Sequence, residues 1–204
     1  MEPSSILSST TYSGVNTSQQ YAERHAVTLV EAVNALRQQM RAVEGTLSWY
    51  SVDYWSETLQ LDIGALKRDL RHLISIKPGV TKFLSWIRCN NKQLHLVTNA
   101  HRTSLELKME CTALEEKFDR VTTARDLGTA KEQCEFWQQL QRLHPFDERS
   151  TLLVADNLAV LRTARKYGIE HLYAVRFPDS MGPARESHEF HCLESLEEIM
   201  MDTL

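Results

Sequence analysis

The 204-residue sequence has four cysteines, Cys89, Cys111, Cys134 and Cys192, and no C-x-x-C pair among them. Scattered thiols of this kind exclude a zinc ribbon or a paired disulfide framework. They predict reduced side chains packed as small apolar groups. No apolar run reaches the roughly 18 residues that a membrane-spanning helix needs. The N-terminus is rich in Ser and Thr, with no basic or apolar segment of a secretory signal. A net charge of −4 gives no general attraction to nucleic acid or to an anionic membrane. No internal repeat is visible. These absences predict a cytoplasmic protein with neither a nucleic acid nor a membrane as partner. At 204 residues and 42% hydrophobic content, the chain is one domain, or one domain with a small insertion, and has enough apolar mass for a core.

What is present centres on Leu94–Ala100, LHLVTNA. An apolar run that ends in small polar residues before a helical pattern predicts a buried strand of a parallel sheet. Such a strand delivers Thr98 and Asn99 to its carboxyl end, where open α/β sheets bind their ligands. Two later stretches have the same design. Lys131 is predicted to open a helix, and Thr151–Asp156 (TLLVAD) reads as a second apolar strand ending in a carboxylate. A hydroxyl, an ammonium and a carboxylate at successive strand ends suit a phosphate and a divalent cation. Each has a plainer reading. Thr98 and Asp156 could be helix N-caps, and Lys131 a solvated first-turn residue.

Residues 1–18 differ from the rest and predict a disordered or poorly packed arm. Apolar residues at helical spacing predict one amphipathic helix over 20–44. A second helix over 45–63 carries Trp49, Tyr50, Tyr54 and Trp55. These rings could pack between helices or form a lid that stacks on an aromatic substrate group. A third helix follows at 62–73, so 19–76 reads as a small helical unit. Beyond Lys77-Pro78-Gly79, helices are predicted at 80–90, 104–114, 131–143, 157–167 and 193–201. Strands are predicted at 94–98, 118–122, 151–155 and 170–175, with a loop over 176–192. This alternation implies a parallel sheet covered on both faces, spanning 77–204. His188-Glu189-Phe190-His191 has spacing that could suit a metal on a helix, but it falls in the predicted loop, which disfavours it.

The ordered set TLSWYSVDYWSETLQLDI, LVTNAHRTSLELKME, Lys131, LLVADNLAVLRTARKYGI and the loop residues 178–180 (PDS) resembles the haloacid dehalogenase-like hydrolases. Within them it is most similar to the bacterial GMP/IMP-type 5′-nucleotidases, over about residues 19–204. The resemblance implies a Rossmann-like core at 77–204 under a helical cap at 19–76. It implies a Mg²⁺-dependent phosphatase of purine nucleoside 5′-monophosphates. Thr98 and Asn99 would hold the phosphate, Lys131 would neutralise it and the nucleophile, and Asp156 would hold Mg²⁺ directly or through water. The alternative is a non-catalytic phosphate- or nucleotide-binding module.

One part of the family pattern is missing. Its first motif, an apolar strand followed by Asp-x-Asp-Gly-Thr-Leu, supplies the attacking aspartate and the general acid/base. Gly45-Thr46-Leu47 follows Glu44 and has no such strand before it. Ala155 also stands where the nearest nucleotidases carry the first of two aspartates. The resemblance therefore implies a core without its central first strand and a chain without hydrolytic activity, marginal in stability. The genetic code offers a source. Shifted back by one base, the codons of Met1 and Glu2 force a glycine. The neighbouring triplets permit Asp before it and Thr-Leu-Leu-Asp after it. Residues 1–18 are thus expected to be an out-of-frame reading of that motif, with the family's frame resuming near Gln19–Tyr21. Sequencing the gene upstream of Met1 tests this: the shifted frame should encode an apolar strand and an aspartate, and any other sequence there refutes it.

Overall fold

The computed structural model describes residues 7–8, 10–178 and 183–201, with side chains from residue 17 onward. Most of the predicted arm, and Asp179 and Ser180 of the loop, lie outside these residues or their described side chains.

The chain begins with β1 (Leu7–Ser8), which pairs antiparallel with β2 (Ser75–Ile76). Between them lie five helices: α1 (Thr10–His25), α2 (Leu29–Val43), α3 (Leu47–Tyr50), α4 (Val52–Leu59) and α5 (Ile63–Asp69). Then α6 (Val80–Cys89) leads to β3 (His95–Thr98), and α7 (Arg102–Thr112) to β4 (Arg120–Thr123). Two helices follow, α8 (Ala124–Leu127) and α9 (Cys134–Leu143). The chain continues through β5 (Leu152–Ala155), α10 (Leu158–Tyr167), β6 (His171–Val175), β7 (His191–Leu193) and α11 (Glu197–Met201).

The α/β class follows the sequence pattern, and the strands of the core are parallel. They form two separate sheets, β3-β4 and β5-β6-β7. Thr98 pairs in register with Thr123, and Ala155 with Ala174, so both sheets end in small side chains at the same carboxyl edge of their ladders. Among the described residues, no strand ladder joins β3 to β5. Side chains join them instead. Leu96 of β3 and Val154 of β5 share one apolar cluster with Phe83 and Leu105. Val97, Leu153 and Ala155 share a second with Phe136 and Trp137. Successive strand residues point to opposite faces, so these two clusters are the two covered faces of the core. A third, smaller cluster of Leu36, Val52, Leu59 and Ile63 holds the N-terminal helices together.

Several expectations need correction. The helix expected over 20–44 is two helices. Ala26 adopts a left-handed φ of 52°, and Thr28 then caps α2 in a reciprocal capping box with Glu31. The residue-18 boundary of the expected arm falls inside α1, where Ser18 is buried. The 45–63 helix is likewise broken, by Ser51 acting as N-cap of α4. A short strand, β7, occupies the end of the expected 176–192 loop, and α11 begins at Glu197 rather than at 193. The four cysteines are free, as expected, but Cys89 and Cys111 are exposed rather than packed. No described helix is long and apolar enough to cross a membrane.

Phe136 is fully buried between β5, α9 and α10, whereas Val30 is 70% exposed. Phe136→Ala should therefore cost about 3–5 kcal/mol of unfolding free energy. Val30→Ser should stay within about 0.5 kcal/mol. Urea denaturation of the two variants checks the difference.

Candidate functional site

The site forms where β3 and β5 end. Thr98, at the last position of β3, is fully buried, and its Oγ1 accepts from the Ala100 amide at 2.9 Å. It is not the cap of α7, whose N-cap position is His101. Asn99 turns the chain and uses both ends of its amide. Its Oδ1 accepts from the Lys131 amide at 3.0 Å, and its Nδ2 donates to Glu132 Oε2 at 2.7 Å. Asp156 follows β5 and is half-buried. It does not cap α10 either; Asn157 does, accepting from the Ala159 amide at 2.9 Å.

Lys131 departs from both expectations. It does not open a helix, because α9 starts three residues later, at Cys134. Its backbone is committed elsewhere: the amide to Asn99 and the carbonyl to Trp137 Nε1 at 3.0 Å. Nor is it solvated. The side chain is completely buried, and Nζ donates to the Val97 carbonyl of β3 at 3.4 Å. Burial lowers its pKa to about 8, against the opposing pull of the Asp156 and Glu132 carboxylates. The structure thus brings Thr98, Asn99 and Lys131 into one corner, with Asp156 inside the electrostatic reach of the ammonium.

Glu132 was not singled out from the sequence, yet it ties the site together. Its Oε1 accepts from Tyr50 Oη at 2.6 Å and from Asn157 Nδ2 at 3.0 Å, while Oε2 accepts from Asn99. Its backbone carbonyl accepts from Thr163 Oγ1 at 2.9 Å. Burial, with this carboxylate beside it, raises the Tyr50 pKa, so the phenol keeps its proton and stays a donor. The only hint in the sequence is adjacency to Lys131. Asp53 and His101 were missed as well. His101 Nε2 lies 3.3 Å from Asp53 Oδ2, which links α4 to the end of β3. The aromatic stretch divides its roles: Tyr50 reaches the core, while Trp55 Nε1 donates to the Trp49 carbonyl at 2.8 Å within the helices.

The segment His188–His191 makes no metal site. Glu189 forms a two-pronged pair with Arg162, Phe190 is buried under the Arg165 guanidinium, and His191 opens β7. Among the described residues no three potential metal-ligating side chains cluster.

A parallel α/β core thus brings a hydroxyl and a buried ammonium together, with a carboxylate near them, beneath the N-terminal helices. The haloacid dehalogenase-like hydrolase family matches residues 8–174, and the chain belongs to it. It is 33% identical over 171 residues to the GMP/IMP nucleotidase YrfG of Escherichia coli, covering 84% of this chain and 77% of that protein. In fold it is similar to the haloacid dehalogenase-type phosphatase of Thermococcus onnurineus, with a TM-score of 0.77 at 18% identity over 97% and 93% of the two chains. It is also similar to the magnesium-bound structure of YfnB from Bacillus subtilis, with a TM-score of 0.66 at 16% identity over 97% and 93%.

The buried lysine has a measurable signature. Its proton is held more weakly in the folded chain than in the unfolded one, where the pKa returns to 10.5. Between pH 8 and 10.5 the unfolded state therefore binds more protons, and this group's contribution to stability rises with pH. Relative to Lys131→Met, the wild-type chain should gain stability across that window and show no such trend below it. Urea denaturation of both at a series of pH values checks this; parallel profiles would place the ammonium in solvent.

Proposed function

We propose that this chain carries the phosphate pocket of a purine nucleoside 5′-monophosphatase and binds such nucleotides without hydrolysing them. The observation that carries the reading is the buried Lys131 ammonium at the end of β3 beside Thr98. Burial lowers the pKa of that ammonium, and a phosphate dianion beside it would favour the charged form. In this reading Thr98 donates its hydroxyl, Asn99 its backbone N–H, and Lys131 neutralises the phosphoryl oxygens. The helices before β2 act as a cap, with Tyr50 reaching the core. Four free cysteines and a small, freely diffusing substrate suit the cytoplasm.

Magnesium fits the site in a limited way. Mg²⁺ is commonly held by one or two carboxylates together with waters and substrate oxygens. Asp156 supplies one carboxylate, with no cluster of three potential ligands among the described residues. That suits a cation arriving with the nucleotide rather than a resident centre. When bound, it would add positive charge at the phosphoryl oxygens. Arg185 donates to the Asp156 backbone carbonyl and leaves the carboxylate oxygens available to it.

Hydrolysis in this family needs an attacking carboxylate, and two described carboxylates act on Lys131: Asp156, assigned above to the cation, and Glu132. Both oxygens of Glu132 already accept hydrogen bonds, from Tyr50, Asn157 and Asn99. Charge-assisted bonds of this kind lower nucleophilicity and fix orientation. Glu132 therefore holds the pocket together rather than attacking phosphorus. The alternative, a module whose role is nucleotide binding itself, is favoured by the same engaged carboxylate.

The purified chain, incubated with GMP or IMP and Mg²⁺, should bind the nucleotide and release no phosphate above background. Lys131→Met should weaken binding about tenfold or more, on the scale of a lost charge-assisted bond. Phosphate release that disappears in Glu132→Gln would make Glu132 the nucleophile and overturn the inactive reading. Binding tight enough to saturate at cellular nucleotide levels would favour the module.

A further inference from the structure

Beside the phosphate corner lies a cavity of about 380 Å³ whose walls come from both halves of the structure. Tyr50, Ser51 and Tyr54 face it from the helices; Asn99, His101 and Arg125 face it from the ends of β3 and β4. Asn99 is the shared wall, because the same side chain holds the Lys131 amide. The volume suits a small ligand of nucleotide size.

Its polar lining is loosely committed. The Arg125 guanidinium donates to Ser51 Oγ at 3.4 Å and pairs with Asp53 at 3.9 Å. Both contacts are long, and the side chain is 59% exposed, so most of its five donors remain available. His101 is 9% exposed and points Nε2 at Asp53, while its Nδ1 is buried with no hydrogen-bond partner. A buried orphan of this kind is unfavourable and marks a lining that a ligand acceptor or donor would complete. The tyrosine rings add π faces on which a planar group can stack.

Resting on the phosphate-pocket reading, we infer that this cavity seats the nucleobase and that Arg125 is the specificity-determining residue, selecting 6-oxopurines. With the phosphate at Lys131, the base of the same nucleotide enters the cavity past Asn99. A guanidinium presents two parallel N–H donors, which match the O6 and N7 acceptors of guanine or hypoxanthine. Adenine turns an amino donor toward that fork, and a pyrimidine has no N7. Asp53 anchors both Arg125 and His101, so a single carboxylate on α4 orients the cavity's two basic side chains.

Calorimetric titration of the full chain with GMP, IMP, AMP and ribose 5-phosphate tests the assignment. GMP and IMP should bind about tenfold or more tighter than AMP, the discrimination expected of one bidentate contact. Arg125→Gln should erase that preference and leave ribose 5-phosphate binding unchanged. Arg125→Lys, which keeps the charge and loses the fork, should erase it too. Equal affinity for GMP and AMP in the wild-type chain, or a preference that survives both substitutions, overturns the base assignment. If ribose 5-phosphate still binds and Lys131→Met abolishes that binding, the phosphate pocket stands without it. If no phosphate ester binds, the phosphate pocket falls and the base assignment with it.

Discussion

The carboxylate of Glu132 is the constraint on which the rest of the site depends. Three donors from three separate parts of the chain meet on it: Tyr50 from the N-terminal helices, Asn99 from the end of β3, and Asn157 from the end of β5. The last two belong to different sheets, which no ladder connects among the described residues. Charge-assisted bonds to a half-buried carboxylate are individually stronger than neutral ones. Here they also replace the directional work that ladder hydrogen bonds do in a continuous sheet. The apolar clusters press the two sheets together, but burial is non-directional and does not set their relative register. The Glu132 network does, because Asn99 must reach Oε2 while Asn157 and Tyr50 reach Oε1.

The same network explains how a lysine can be fully buried. An isolated ammonium in a protein interior gives up its hydration, and the lowering of the Lys131 pKa to about 8 reflects that burial. Two carboxylates, Asp156 and Glu132, oppose the shift, and the Val97 carbonyl accepts from Nζ. At neutral pH, below that value, the group stays charged. Glu132 cannot be moved closer without releasing Tyr50 or the two asparagines. An anion beside that ammonium would favour its charged form in the same way as the two carboxylates do.

What the sequence revealed and what it hid divide along physical lines. Strands β3, β5 and β6 were legible because their buried residues form short apolar runs bounded by polar or turn residues. The end of the helix predicted at 157–167 was legible too: Gly168 follows it with a positive φ of 123°. The break at Ala26 was hidden, because a left-handed residue other than glycine leaves no compositional trace, and apolar spacing continued across it. Strand β7 was hidden for another reason: three residues are too few for alternation to show. Lys131 was legible as a candidate but misplaced on a helix. Local propensity said helix, whereas Asn99, 32 residues away, took its backbone amide and Trp137 its carbonyl. Glu132 was invisible because its partners lie 25, 33 and 82 residues away. A tertiary hub of polar side chains has no periodicity to read.

Binding and turnover separate cleanly in a site of this construction. Catalysis requires interactions that strengthen in the transition state, and for phosphoryl transfer these include a nucleophile in line with the leaving oxygen. Ground-state binding requires only that the dianion find donors and a cation already in place. The described site has the second set: Thr98 at a strand end, an asparagine amide turning toward Lys131, and the lysine itself. Among the described residues, bonds between residues after Leu94 hold the amide of Lys131 to Asn99 and its ammonium to Val97, and Tyr50 reaches Glu132 from the N-terminal helices. The corner where β3 and β5 end takes its geometry from its own hydrogen bonds, and a group that would do chemistry there is a separate requirement.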